Sequence, residues 1–277
     1  MNKKTRLLLI PNGGLCNRMR AVASGLNLAR RTNGSTKILW MISGELGAAF
    51  EEVFQPISCG LHAVPVEVEN MRMNRIKGYF WTRMKPVVIR FCALAGWRWF
   101  SDFKESDFKK VGVARFADEK SIVESCYSFL PCEKDDITIG EIFKFRKKII
   151  DRAVGLANDG MIGIHIRRSD NVQAIQESPL ELFEEAIAEK LKGNPKQRFF
   201  LATDDEDTAR RLKSKFDGAI AMQERRNLKR GEDAGIVDAA VDFLALSRCH
   251  EILGSYWSSF SDIAAEYGKR PLTILKK

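Results

Sequence analysis

The segment richest in chemistry is His165-Ile166-Arg167-Arg168-Ser169-Asp170, which starts inside the apolar run from Met161 to Ile166. A buried strand therefore ends in a histidine, two guanidinium groups and a carboxylate. Arginines at such a place are costly, because each must be desolvated or paired. Their chemical use is specific. A planar guanidinium binds phosphate oxygens through two parallel hydrogen bonds, stays protonated, and offsets negative charge that grows on a departing diphosphate. Strand alternation sends His165 and Arg167 to one face and Ile166 and Arg168 to the other. The competing explanation is an Arg–Asp ion pair that stitches the strand end to a neighbour.

Three other segments have the residue types to support such a site. Gly13-Gly14-Leu15-Cys16-Asn17-Arg18 follows an apolar strand, and the free N–H groups of Gly14 and its neighbours at a helix start favour an anion. It lacks the glycine spacing of a dinucleotide fingerprint and the Gly-Lys-Ser/Thr of a P-loop, so a tight strand-to-helix turn explains it equally well. Gly254-Ser255-Tyr256-Trp257-Ser258-Ser259-Phe260-Ser261 offers hydroxyls and N–H groups at a second helix start, and capping explains one serine rather than four. Ala202-Thr203-Asp204-Asp205 ends another strand. An acidic pair there can hold Mg²⁺ against phosphates, but Asp and Thr are ordinary N-caps, and capping is the preferred explanation.

These segments need strands to hold them. Strands are expected at Leu7 to Ile10 and Lys37 to Ile42, with a helix from Cys16 to Arg31 between them. In the second half strands are expected at Met161 to Ile166, Arg198 to Ala202, Ala219 to Met222, Glu251 to Gly254 and Leu272 to Leu275. Helices between them run near Pro179 to Lys192, Glu206 to Lys215, Asp233 to Ser247 and Ser259 to Lys269. That order is a doubly wound α/β sheet, whose ligands bind at the carboxyl ends of the strands. The small, polar run from Gly155 to Gly160 marks a boundary, dividing the chain into residues 1–155 and 156–277.

With 277 residues, 45% apolar and 29% charged, the chain has material for two cores, and the composition is that of a soluble globular protein. The apolar run Leu7 to Ile10 is too short for a signal peptide and is read as a strand. Cys16, Cys59, Cys92, Cys126, Cys132 and Cys249 show no C-x-x-C pair and no zinc spacing, which argues for a reducing cytoplasm and against structural zinc. A net charge of +9 favours anionic partners, and much of it lies between Met71 and Trp99, where seven basic residues stand with no acid. Phe80, Trp81, Phe91, Trp97, Trp99 and Phe100 are interleaved there. The stretch from Asn74 to Lys104 is therefore expected to be a helical or irregular insertion at the rim. It is either ordinary core with a solvated basic face, or an acceptor-binding or membrane-surface patch over residues 72–100.

Taken together, the run from Gly13 to Arg20, His165 to Asp170, Leu201 to Asp205 and Ser258 to Ser261 resemble, in order and spacing, the motifs of the GDP-fucose-dependent α-1,2/α-1,6/protein-O-fucosyltransferase superfamily. The resemblance covers the C-terminal half and the first turn of the N-terminal half; residues 45–155 lie outside it. It implies a GT-B-like α/β fold, two Rossmann-like domains facing across a cleft. The first would be the acceptor side and the second would bind the nucleotide sugar, with no metal or other cofactor. It further implies that Arg167 contacts the β-phosphate with Arg168 beside it, and that His165 lies near the guanine and ribose. By the same resemblance Ser258, Ser259 and Ser261 belong to the phosphate-binding motif, Asp242 reads guanine, and Asn17, beside Gly14, faces the donor. One departure bears on the linkage: the α-1,6 enzymes carry a lysine after the motif's Asp and a glutamate a few positions on, where this chain has Asn171 and Ile175. Asp170 and Glu177 are left as candidate bases in an inverting transfer to a glycan or glycolipid hydroxyl.

Two rivals stand beside this reading. One is a transferase of the same fold using another nucleotide sugar. The other is a non-catalytic carbohydrate- or nucleic-acid-binding protein drawn by the positive charge. No RNA- or DNA-reading motif accompanies that charge, so nucleic acid is not expected as a partner. Compartment logic points to a cytoplasmic enzyme acting at the inner face of a membrane.

Overall fold

Short aliphatic runs alternate with amphipathic stretches along the chain, the condition for parallel strands joined by crossover helices. A computed structural model describes residues 5–57, 64–73, 75–169, 172–224 and 226–277, together with the side chains of all of these but 75–77. Asp170, one of the two candidate bases, lies outside the described residues.

The elements in chain order are β1 (Arg6–Pro11), α1 (Leu15–Arg31), β2 (Ser35–Ile42), α2 (Phe50–Val53), β3 (Val66–Arg72), α3 (Arg75–Leu94), β4 (Trp97–Phe100), α4 (Glu105–Val111), β5 (Lys120–Ser125), α5 (Ile139–Ile142) and α6 (Lys147–Leu156). There follow β6 (Met161–Ile166), α7 (Val172–Glu177), α8 (Leu180–Gly193), β7 (Arg198–Thr203), α9 (Glu206–Lys215), β8 (Ile220–Ala221), α10 (Asp233–Arg248), β9 (Glu251–Ser255), α11 (Ser259–Gly268) and β10 (Leu272–Leu275). They form two compact units, Met1–Lys144 with Lys229–Ile236, and Phe145–Leu228 with Val237–Lys277. This division falls ahead of the 155/156 boundary read from composition. The small, polar run is instead a tight turn from α6 into β6, with Asn158 Oδ1 accepting from the Gly160 N–H (2.9 Å) and Arg248 Nε donating to the Ala157 carbonyl (3.1 Å).

In the first unit the parallel sheet runs β3-β2-β1-β5-β4. The central β1 pairs with both β2 and β5. Strand β3 is a polar edge: its Glu67 and Glu69 both reach Lys37 on β2. From that edge the chain passes through α3 to β4 on the opposite edge, then returns inward to β5. The stretch after Asn74 is thus a 20-residue helix followed by an edge strand.

The second unit carries the parallel sheet β10-β9-β6-β7-β8. Every residue of β6 is buried, as a strand covered by helices on both faces must be. Alternation sorts its side chains. Ile162, Ile164 and Ile166 join Phe183 and Ile187 of α8 and Ala209 and Leu212 of α9 in one core. On the other face His165 stacks on Phe260 of α11 (centroids 4.8 Å apart), which meets Phe243 of α10 edge-on.

Candidate active site

From β6 the chain winds one way through β7 to β8, and β9 and β10 lie on the other side. The carboxyl ends of β6 and β9 therefore flank the sheet's topological switch point, the place where open α/β sheets bind ligands. Register pairs Ile166 with Thr203 and His165 with Gly254, so Arg167 comes level with Asp204 on one side and with Tyr256, just past Ser255, on the other. The Arg167 N–H donates to Ser255 Oγ (3.1 Å), whose hydroxyl is turned toward the His165 carbonyl (3.4 Å). Ser255 is fully buried and bridges the two strands at the switch point.

Asp204 organises the loop that follows. Its Oδ1 accepts the Arg168 N–H (2.7 Å) and its Oδ2 the Ser169 hydroxyl (2.6 Å), with Arg167 Nε 3.7 Å away. Burial alone would raise this carboxyl. The Ser169 hydroxyl, the Arg168 N–H and the charges of Arg167 and His165 prevail and hold it below the ordinary aspartate range. The neighbouring Asp205 caps α9, accepting from the Thr208 N–H (2.7 Å), so capping, the preferred explanation for the pair, describes one aspartate and loop anchoring the other.

The two arginines part company as alternation requires. Arg168 lies on the α8 face, where Nη1 donates to the Ile175 carbonyl (3.3 Å) and Nη2 to the Ser178 carbonyl (2.8 Å). Burial lowers its pKa, opposed by Glu181, Asp205 and Asp204. Ser178 in turn donates to the Leu275 carbonyl (2.5 Å) and accepts from the Tyr256 N–H (2.8 Å), tying the α7–α8 junction to the ends of β9 and β10. Arg168 is thereby a staple of that junction. Arg167 keeps a fifth of its side chain exposed (21%), with its Nε 3.7 Å from Asp204 Oδ2.

The other expected residues are distributed as follows. Ser258 is the buried residue preceding α11 and Ser259 opens that helix. Ser261 is fully buried, its hydroxyl donating to the Ser258 carbonyl (3.2 Å). Glu177 ends α7 with its side chain exposed, and its carbonyl accepts from the Lys277 N–H (2.9 Å). Asp242, on α10, is buried; that burial pushes its carboxyl up to about 7 against the pull of Gln223 and Arg226. Arg152 donates to Gln223 Oε1 (2.6 Å), which fixes the amide so that its NH₂ faces the Asp238 carbonyl and Asp242. In the first unit Gly14 precedes α1, and Asn17 on its first turn has a buried Oδ1 with no hydrogen-bond partner among the described residues. Gly13 has φ +77°, and a Cβ there would come within 2.9 Å of Asn17 Nδ2, so the turn that presents Asn17 requires glycine.

Arg226 escaped the sequence reading, and Trp257 stood in it only as a member of the serine-rich segment. Arg226, its side chain 3% exposed, donates to the Thr203 carbonyl (2.7 Å), pairs with Glu206 (3.3 Å) and approaches Asp242 (4.0 Å). Its Nη2 is buried with no hydrogen-bond partner among the described residues. Trp257 is 64% exposed and sits at φ +55°, a costly conformation for a bulky residue that persists where surrounding structure imposes it. Among the described residues no group of three or more His, Cys, Asp or Glu is gathered to hold a metal.

Both sheets are parallel with helical crossovers, and each has its unit's first strand, β1 or β6, at the centre. The fold is GT-B-like, that of known fucosyltransferases. NodZ alpha-1,6-fucosyltransferase co-crystallised with GDP is similar at 20% identity and a TM-score of 0.65, with 95% of this chain and 92% of that chain covered; NodZ has also been solved from Bradyrhizobium. POFUT1 in complex with GDP is similar at 12% identity and a TM-score of 0.56, covering 99% of both chains. A mutant of Arabidopsis thaliana FUT1 in complex with GDP is similar at 15% identity and a TM-score of 0.60, with 98% of this chain and 70% of that chain covered. By sequence, no protein-family profile and no curated protein matches the chain.

Proposed function

We propose that this chain belongs to the GDP-fucose-dependent fucosyltransferases and transfers fucose from GDP-fucose to a hydroxyl of a glycan or glycolipid, with inversion at the anomeric carbon. The observation that carries this reading is Arg167, partly exposed at the switch point and fixed through its own N–H by Ser255. The fold shared with GDP-complexed fucosyltransferases supports it.

In this mechanism the acceptor oxygen attacks C1 of fucose from the face opposite the diphosphate. The C1–O bond breaks, and its electrons pass to the β-phosphate oxygen of GDP. Arg167 neutralises that growing charge, helped by the N–H groups of Ser258 and Ser259 at the start of α11. His165 and Asp242 hold the guanosine, and the unmet donor of Arg226, beside Asp242, suits an acceptor atom of the base. Arg168 and Ser261 act one step back, holding the α7–α8 junction and the α11 turn. Asp170 or Glu177 takes the acceptor proton; oxocarbenium character at C1 lowers the demand on that base. The second unit is thus the donor-binding domain, and the first, with Gly14 and Asn17, the acceptor side. Charge neutralisation by arginine and a helix N-terminus supplies what a divalent metal would supply, so none is required.

The thiol state of Cys92, Cys126, Cys132 and Cys249 supports a cytoplasmic setting. A ligand that binds only the folded protein raises its melting temperature in proportion to the logarithm of ligand over Kd. GDP-fucose and GDP are expected to raise Tm where UDP-glucose does not, with EDTA making no difference. A shift with UDP-glucose alone would assign another donor. A shift that vanishes in EDTA and returns with Mn²⁺ would make Asp204 and Asp205 metal ligands. No nucleotide shift would leave a non-catalytic binding protein.

A further inference from the structure

Helix α3 has two faces with different surroundings. On the packed face Trp81 lies 6.2 Å from Trp99 of β4, Lys85 pairs with Glu124 of β5, and Cys92 joins the sheet cluster of Ile10, Leu39 and Ile122. On the opposite face Tyr79, Phe80, Phe91 and Leu94 are 65%, 63%, 66% and 85% exposed, with Val87 between them. The spacing 79/80, 83, 87, 90/91, 94 keeps these positions on one stripe of a helix. Arg83 and Arg90 lie in the same stripe. The Arg83 guanidinium rests 5.3 Å from the Tyr79 ring, and neither arginine forms an ion pair with a described residue.

A stripe of large apolar side chains left in water marks an interaction surface. Its charge narrows the partner: from Met71 to Trp99 there is no acidic residue, and the chain carries a net +9. Aromatic rings favour the headgroup level of a bilayer, and arginines interspersed among them extend their guanidinium groups to the phosphates. No helix among the described residues is long and apolar enough to cross a membrane, so the geometry is that of a helix lying flat. We infer that α3 docks this stripe on an anionic phospholipid surface through Tyr79, Phe80, Phe91 and Leu94, with Arg83 and Arg90 paired to lipid phosphates. This rests on the transferase reading only in that it brings the enzyme to a lipid-borne acceptor.

The test is flotation of the whole protein with phosphatidylcholine vesicles prepared with and without phosphatidylglycerol. The parent is expected to float with the anionic vesicles and to be released as NaCl rises. Phe80→Ser/Phe91→Ser/Leu94→Ser and, separately, Arg83→Gln/Arg90→Gln are each expected to weaken that binding by about tenfold or more. Both sets of side chains face solvent, so both variants keep the parent's Tm and its GDP-fucose-dependent shift. A parent that does not float, variants that float as well as the parent, or a dimer in sedimentation velocity that the triple variant abolishes would each overturn the inference. Flotation without any nucleotide shift would uphold membrane docking and remove the transferase reading.

Discussion

Each sheet has an arginine near the carboxyl end of its central strand, and the two differ in their surroundings. Arg18, on the first turn of α1 beyond β1, is sealed. Its Nε donates to the Gly13 carbonyl (2.8 Å), its Nη1 to the Met41 carbonyl (2.6 Å), and its guanidinium lies 5.0 Å from the Trp40 ring. Burial, opposed by Glu45, lowers its pKa to about 10. Arg167, beyond β6, keeps exposed surface, with Asp204 Oδ2 3.7 Å from its Nε. Arg18 thus spends its donors closing a turn, whereas Arg167 keeps part of its side chain at the surface beside Asp204.

Substitution separates the two roles. Arg167→Ala is expected to reduce fucosyl transfer by on the order of 10²–10³ while leaving Tm nearly unchanged. Arg167→Lys should recover only part of the rate, because an ammonium cannot bind two oxygens in one plane. Initial rates and thermal melts on the same samples check this, and a large loss of Tm in Arg167→Ala would put it in the class of Arg18. Arg18→Met should do the reverse. Stranding two main-chain carbonyls costs about 2–4 kcal/mol, read as a lower urea midpoint, with a far smaller loss of turnover per folded molecule than Arg167→Ala gives.

The smallest effect concerns Asp242, whose folded pKa near 7 stands above the unfolded value. Between roughly pH 4 and pH 7 the folded state holds a proton that the unfolded chain has lost, so stability declines as pH rises through that window and levels off above it. Asp242→Asn cannot titrate. Its Tm should be flatter from pH 5 to pH 8 and should exceed the parent's most at the alkaline end, by a few degrees at about 2–4 °C per kcal/mol. Parallel profiles for parent and variant would mean that this carboxylate is charged in the fold.

The second unit was far more legible in the sequence than the first. Strands such as β6 and β7 are buried on both faces and read as apolar runs, and Asp205 caps α9 where the residue types announce a cap. In the first unit β3 alternates valine with glutamate at an edge, and β4 is four residues of Trp, Arg and Phe. Neither carries the pattern of a buried strand. Alternation already assigned Arg168 to the face opposite Arg167, but which carbonyls awaited it depended on how α7 ends at Ser178. Arg226 was hidden for a related reason: it sits in a loop without periodicity, and Thr203, Glu206 and Asp242 come from β7, α9 and α10.

The segment 229–236 follows β8 in sequence yet completes the first unit, where the Gly47 N–H donates to the Arg230 carbonyl (2.8 Å). A Cβ at Gly47 would lie 2.3 Å from the Gly231 main chain, so backbone meets backbone with no room for a side chain. During synthesis the early half of the chain therefore cannot finish folding when residue 144 emerges. It waits for the later segment, on the order of 5–20 s at ordinary translation rates, with one flank uncovered and available to a chaperone.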